Sequence, residues 1–165
     1  MGARNWFVVG AVGWCCAFAA LHVFWALGGS TGLASSAGTE LAASRPTSFV
    51  VFGLWGVAAA LIVAAVLVRA ASNPSYSQRL RRILGWLLGA AGLAMLVRGV
   101  LIQIVLLTDA GDVRSAVGPE QTRMSLILWN PWFIVGGVLF LSVSYQVVRK
   151  QRSSIASPAA HPPGL

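Results

Sequence analysis

The sequence predicts an all-α integral membrane protein, an antiparallel bundle of four transmembrane helices with both termini in the cytoplasm. Three observations lead to this prediction. The chain of 165 residues is 57% hydrophobic and only 10% charged, whereas soluble globular chains contain about 25% charged residues. Four apolar stretches are each long enough to cross a hydrocarbon core of roughly 30 Å as a helix. The basic residues concentrate in alternate connecting segments, which indicates an orientation.

The first two spans are predicted at about residues 6–27 and 49–68. Ala17-Phe18-Ala19 could be a signal-peptide cleavage site, but the apolar run continues to Leu27, which favours a retained span. Before the second span, Arg45-Pro46-Thr47-Ser48 supplies a helix break followed by hydroxyl side chains suited to capping.

The third and fourth spans are predicted at about residues 83–107 and 124–148. Asn73-Pro74-Ser75 forms a turn before the third span, and Pro119-Glu120 places a proline and an acid where helices prefer to begin. Residues 1–152 therefore form one transmembrane domain. The remaining segment, residues 153–165, is rich in Ser, Ala and Pro, and we expect it to be a disordered cytoplasmic tail.

The distribution of basic residues predicts the orientation. Three of the 12 basic residues fall in loops one and three, together with all four acidic residues. Eight fall before span one, in loop two or after span four: Arg4, Arg69, Arg79, Arg81, Arg82, Arg149, Lys150 and Arg152. The positive-inside rule places these eight in the cytoplasm. The net charge of +8 is thus a topology signal that also attracts anionic lipid, and no nucleic-acid partner is expected.

Small residues at helical spacing predict where the helices pack closely. Gly85 and Gly89 form a Gly-x-x-x-Gly motif in span three, and Gly136 and Gly137 lie together in span four. Such residues let helix backbones approach each other in lipid. They can join helices within one chain or between two copies, and the sequence leaves both arrangements open.

Arg98 is the one basic residue within a predicted span. A mid-helix arginine costs about 2.5 to 3.5 kcal/mol on insertion scales, so its presence needs an explanation. One interpretation is structural, with the side chain reaching outward to backbone carbonyls or lipid phosphate. The other is an anion-binding or carbonyl-binding group in a pocket of the outer leaflet.

Other polar side chains lie at similar depths in the outer half of the bundle. At about 1.5 Å per residue, His22, Gln103 and Asn130 lie roughly 6 to 9 Å from the outer ends of their spans, and Arg98 roughly 13 Å. Pro131 cannot donate to the Ile127 carbonyl, so it should kink span four and leave an acceptor near Asn130. Arg98, His22 or water could fill that acceptor. The candidate ligand-binding residues are His22, Trp25, Arg98, Gln103, Trp129 and Asn130.

Several chemistries lack the residues that they require. Cys15 and Cys16 are adjacent rather than spaced as Cys-x-x-Cys, so a thiol oxidoreductase lacks its motif. A bis-histidine haem needs a second membrane histidine, which only a dimer could supply. No metal-ligand cluster, phosphate loop or catalytic triad is present, and we expect no metal ion or other cofactor. An enzyme that uses His22 as acid or base beside Arg98 would lack a nucleophile and a carboxylate.

Two motifs resemble those of a domain-of-unknown-function family of small four-helix bacterial membrane proteins. The first is Leu21-His22-Val23-Phe24-Trp25-Ala26-Leu27-Gly28-Gly29, and the second is Trp129-Asn130-Pro131-Trp132-Phe133 followed by Gly136-Gly137. The likeness covers all four spans. It implies a four-helix fold and a bacterial membrane location, and it implies no activity.

The sequence therefore predicts a multi-pass protein of the bacterial inner membrane with an outer-facing polar and aromatic pocket. The pocket would bind a small amphipathic or anionic ligand, or a lipid headgroup. The alternative is a non-catalytic structural or accessory subunit, in which the same residues lock helix packing and the glycines dock a membrane partner or a second copy.

Overall fold

The computed structural model describes residues 3–155, with side chains for residues 6–149. Within this range the chain is helical and has no β-strand. The α-helices are α1 (Ala3–Ala26), α2 (Leu33–Ala37), α3 (Thr39–Ser44), α4 (Val57–Ser72), α5 (Gln78–Thr108), α6 (Val113–Val117), α7 (Pro119–Met124) and α8 (Asn130–Ile155). Two π-helical segments lead into the long helices: π1 (Phe49–Gly56) before α4 and π2 (Ser125–Trp129) before α8.

The four predicted spans are confirmed as four helices long and apolar enough to cross a membrane. They cover Trp6–Ala26, Phe49–Ser72, Gln78–Thr108 and Pro119–Arg149. The last two have 31 residues each, about 46 Å of helix, so both exceed a hydrocarbon core of roughly 30 Å. They are longer than the predicted spans because polar residues continue the helix beyond the apolar run. The third begins where the Ser77 hydroxyl accepts a hydrogen bond from the Leu80 N–H at 3.3 Å.

The long helices pack antiparallel along the chain. Near the N-terminus of α1, a Cβ at Gly10 would lie 3.0 Å from the Leu139 side chain in α8. Near the start of α5, a Cβ at Gly85 would lie 3.1 Å from Val147, whereas Gly99 approaches Asn130 at the opposite end of α8. The connecting segments 27–48 and 109–118 therefore share one end of the bundle, which we call the loop face.

Glycines bring α5 and α8 into backbone contact. A Cβ at Gly137 would lie 2.8 Å from the Gly92 carbonyl oxygen, and one at Gly89 would lie 2.7 Å from Ser144 Oγ. A Cβ at Gly136 would lie 2.6 Å from the Trp14 ring in α1. All four predicted packing glycines, Gly85 among them, thus occupy contacts within the chain.

The two loop-face segments repeat one backbone design 80 residues apart. Helices α2 and α6 have five residues each, and α3 and α7 have six, at positions that differ by 80 in every case. The separating glycines share one conformation: Gly38 has φ 92° and ψ 154°, and Gly118 has φ 88° and ψ 157°. Only glycine adopts this region readily. Within residues 33–44, only Ser35, Gly38 and Glu40 have the same residue type 80 positions later, so the sequence does not indicate the shared backbone design.

Two arginines of the loop face cover the carbonyl ends of long helices, Arg45 at α1 and Arg114 at α5. Arg45 donates through Nη1 to the Trp25 carbonyl at 3.0 Å, and it also donates to the Gly29 carbonyl. Arg114 donates through Nε and Nη2 to the carbonyls of Leu106 and Leu107 at 2.7 Å each. The Leu106 and Leu107 carbonyls lie in the last turn of α5, where no N–H of the helix follows four residues later. Two of the three basic residues in loops one and three therefore donate hydrogen bonds to backbone carbonyls near helix ends.

The fourth long helix continues beyond the predicted domain end. Helix α8 reaches Ile155, so residues 153–155 are helical, contrary to the predicted tail. The reason is that no glycine or proline interrupts the sequence between Gly137 and Pro158. The rest of the predicted tail, residues 156–165, lies outside the described residues.

Candidate functional site

A cleft of about 700 Å³ lies between α4 and α5 and is floored by α1 and α8. Residues of α2, α6 and α7 line its loop-face end. Its wall is mostly apolar, with Val57 and Leu61 from α4 and Met95, Leu101 and Ile102 from α5. Leu101 is 55% exposed, so the cleft is open along the side of the bundle. Its remaining lining residues are Trp14, Phe18, His22, Ser36, Arg98, Val105, Leu106, Val113, Val117, Gln121, Ser125, Trp129, Asn130 and Phe133.

Arg98 brings a positive charge into this cleft. It lies ten residues before the end of α5, about 15 Å along the helix. Its guanidinium carbon lies 3.9 Å from the centre of the Phe133 ring, a cation–π contact with α8. The described residues offer the guanidinium no hydrogen bond and no ion pair. Its N–H donors are therefore free for a ligand.

His22 is the second polar group on the cleft and is only 8% exposed. Its Nδ1 lies 2.9 Å from the Phe18 carbonyl oxygen one turn earlier. In the neutral ring this contact assigns the proton to Nδ1 and leaves the Nε2 lone pair available. His22 therefore adds a hydrogen-bond acceptor to the cleft, or a donor when protonated.

Aromatic rings connect Arg98 with His22. The Phe133 ring stacks under the guanidinium and meets the Phe18 ring edge-on, with 5.8 Å between ring centres. The Phe18 ring meets His22 at 4.5 Å, also edge-on. The polar groups of α1 and α5 are thus held on a continuous aromatic floor. Phe18 and Phe133 were not among the predicted site residues because neither side chain has a polar atom, although both lie within four residues of His22 or Asn130.

Trp25 and Trp129 form the wall towards the loop face. Trp129 lines the cleft, and its Nε1 donates to Ser35 Oγ at 3.3 Å. Trp25 lies behind it, 1% exposed, with 5.9 Å between the two ring centres. Its Nε1 donates to the Thr31 carbonyl at 2.8 Å. The structure therefore places Trp25 as a support of the wall rather than on the cleft surface.

Asn130 and Gln103 form a hydrogen-bonded pair between α8 and α5. Asn130 Nδ2 donates to Gln103 Oε1 at 3.1 Å, and Gln103 Nε2 donates to the Leu126 carbonyl at 3.4 Å. Asn130 lines the cleft and is 1% exposed, whereas Gln103 is not among the lining residues. Gln103 therefore orients Asn130 from outside the cleft.

The π-helical register explains why Gln103 reaches Leu126. The Asn130 N–H donates to the Ser125 carbonyl, five residues earlier. The next π-type donor, for Leu126, would be Pro131, which has no N–H. An α-helical register leaves the Ile127 carbonyl without its usual donor, so the exposed acceptor at Leu126 was not predicted from the sequence. Gln103 is the side-chain donor at Leu126.

Trp14 closes the end of the cleft that is farther from the loop face. Its Nε1 donates to the Trp132 carbonyl at 3.0 Å, and its ring stacks on Trp132 with 5.7 Å between centres. The small surface of Gly136 makes room for this ring. The only signal for Trp14 in the sequence was its position near mid-membrane, away from the interface where tryptophan is usually enriched.

The cleft combines the cation of Arg98, the imidazole of His22 and the amides of Asn130 and Gln121 with an apolar wall. Among the residues that the structure describes, no group of His, Cys, Asp and Glu could hold a metal ion. Both cysteines are free; Cys15 is buried and Cys16 is exposed, and neither lines the cleft. This arrangement suits binding of an amphipathic anion, with the charge at Arg98 and the apolar part along α4 and α5.

A family model described as protein of unknown function, DUF3995, matches residues 15–140. The chain belongs to the DUF3995 family. The resemblance seen in the sequence is thereby confirmed at the level of a family without assigned function. The residues matched to DUF3995 include every candidate ligand-binding residue, from His22 to Asn130. No curated protein and no solved structure matches the chain.

Proposed function

We propose that this multi-pass membrane protein binds an amphipathic anion, or an anionic lipid headgroup, in the cleft between α4 and α5. The unpaired guanidinium of Arg98 carries the proposal. A charged side chain within a membrane span is normally paired or faces a polar cavity. Arg98 faces a cleft of about 700 Å³ and finds only the Phe133 ring among the described residues. A ligand anion would supply the missing partner.

The shape of the cleft favours a ligand that is also apolar. Val57, Leu61 and Leu101 line it, and it is open along the side of the bundle. An acyl chain could enter from the bilayer without crossing water. The amide of Asn130 and the imidazole of His22 would then contact the polar part of the same ligand.

The proposed location is the bacterial inner membrane, with the loop face external. The positive-inside rule supports this orientation because loop two and the two termini hold eight of the 12 basic residues. Arg45 and Arg114, two of the other four, are engaged at helix ends of the loop face. The ligand would then reach Arg98 from the outer leaflet.

Native mass spectrometry in lipid nanodiscs tests the proposal. We expect wild type to carry a discrete bound mass that Arg98→Leu loses by at least tenfold, since hydrogen bonds to charged groups are among the stronger ones. Arg79→Leu is the matched control because Arg79 is exposed at the opposite end of the bundle. Bare protein in wild type and Arg98→Leu, both folded, would contradict the proposal and favour the structural or accessory role.

A further inference from the structure

A second cavity lies on the loop face, beside the start of the fourth long helix. It has a volume of about 550 Å³ and shares no lining residue with the cleft. None of its lining residues is acidic. They are Arg114, Ser115, Pro119, Thr122, Arg123, Leu126 and Ile127.

Two guanidinium groups with free donors border this cavity. Arg123 is exposed and makes no hydrogen bond or ion pair with the described residues. Arg114 uses Nε and Nη2 at the end of α5, which leaves Nη1 free. The nearby carboxylate of Asp109 accepts the Arg114 backbone N–H at 3.0 Å and does not line the cavity. The wall therefore favours an anion.

A buried hydroxyl without a partner lies in the same wall. Thr122 is 7% exposed, and its Oγ1 is buried and makes no hydrogen bond within the described part of the chain. More than nine in ten buried polar groups have a partner, so this one needs a reason. Thr122 also lines the cavity, so a rotation of its side chain would present the hydroxyl to an oxygen of a ligand there.

The opposite wall of the cavity is apolar and faces outward. Leu126 and Ile127 form it, and Ile127 is 67% exposed on the flank of the bundle. A ligand held here would have its charge at the arginines and its apolar part beside Ile127. Lipids at the membrane surface have this division between headgroup and chain.

We propose that this cavity binds a phosphate group, carried by an anionic phospholipid whose chains lie along Ile127. Arg123 and Arg114 would donate to the phosphate oxygens, and Thr122 would complete the site. The site is independent of the cleft at Arg98, so either proposal can fail without the other. A soluble phosphate offers the same oxygens, and the experiment separates the two sources.

The test uses the full chain in phosphatidylcholine nanodiscs that also contain phosphatidylglycerol, with retained lipid measured by native mass spectrometry. We expect Arg123→Gln to retain about tenfold less phosphatidylglycerol than wild type. Arg79→Gln removes the same charge from the other end of the bundle and should retain the wild-type amount. Thr122→Val keeps the side-chain shape without the hydroxyl, and it should also reduce retention.

Adding inorganic phosphate shows whether the bound phosphate group comes from a phospholipid or from free phosphate. If added phosphate leaves the retained lipid in place, the lipid is the ligand. If phosphate displaces it in wild type, and binds Arg123→Gln about tenfold more weakly, the site takes free phosphate. Equal retention in wild type and Arg123→Gln would overturn the proposal, as would equal losses in Arg123→Gln and Arg79→Gln, which would indicate attraction by net charge alone.

Discussion

The indole nitrogen of Trp14 in α1 donates a hydrogen bond to the backbone carbonyl of Trp132 in α8, at 3.0 Å. The Trp132 indole nitrogen, stacked against the same ring, is buried and makes no hydrogen bond within the described residues. Two similar side chains in one aromatic cluster therefore differ in what their N–H groups contribute.

This difference predicts opposite hydrogen-bond effects for the two tryptophans. Trp14→Phe should lower the free energy of unfolding by about 1 kcal/mol more than Trp132→Phe, because only the first loses a hydrogen bond. Both variants lose a similar ring area, so each is the other's control. Unfolding in mixed micelles measures the two values. A larger loss in Trp132→Phe would contradict the assignment of the Trp14 hydrogen bond.

Gly137→Ala should destabilise the bundle strongly. The added Cβ would lie 2.8 Å from both the Gly92 carbonyl oxygen and the Leu96 nitrogen, so α5 and α8 would have to separate. We expect a loss of about 2 kcal/mol or more. Gly13→Ala is the control, because nothing lies within 4 Å of its added Cβ, and it should be neutral or stabilising. Thermal unfolding of the two variants in the same detergent makes the comparison.

Gln103 and Asn130 should be coupled in a double-mutant cycle. Gln103→Leu leaves the Asn130 amide and the Leu126 carbonyl without their partner, so we expect a loss of about 1 to 3 kcal/mol. Asn130→Leu should cost less when Gln103 is already leucine, with a coupling of about 0.5 kcal/mol or more. Additive losses would show that the two side chains do not depend on each other.

The proposed orientation can be tested with single cysteines at positions 40 and 79. In a background where Cys15 and Cys16 are alanine, an impermeant thiol reagent should label Glu40→Cys in intact cells. It should label Arg79→Cys only after the membrane is permeabilised. Both native residues are exposed, so access within the protein is not limiting. The opposite labelling pattern would overturn the argument from charge.

Much of the fold follows from apolar run length and turn residues. The spans were predictable because each run ends at polar or helix-breaking residues such as Pro46 and Pro74. His22, Arg98 and Asn130 were predicted to lie at similar depths in the bundle, and all three line one cleft in the structure. The depth of a residue depends on how many residues separate it from the end of its helix, and the sequence gives that count directly.

The backbone register of π2 and the rotation of α1 against its neighbours do not follow from residue positions in the sequence. The π-helical register of π2 arises from backbone pairing and has no residue signature, so the role of Gln103 at Leu126 could not be predicted. Whether Trp25 lines the cleft or supports it depends on the rotation of α1 against its neighbours. The positions of Phe18 and Phe133 on the floor depend on the same rotation.

The cleft is chemically uneven from one side to the other. Arg98 in α5 is the one charged residue among its lining residues, whereas Phe18 in α1 lines it with a ring. A cleft with one charge on one side can hold an amphipathic molecule in a single direction, because turning the molecule round would place its anionic end against apolar or aromatic side chains. The position of Arg98 therefore sets the orientation of a ligand as well as its charge.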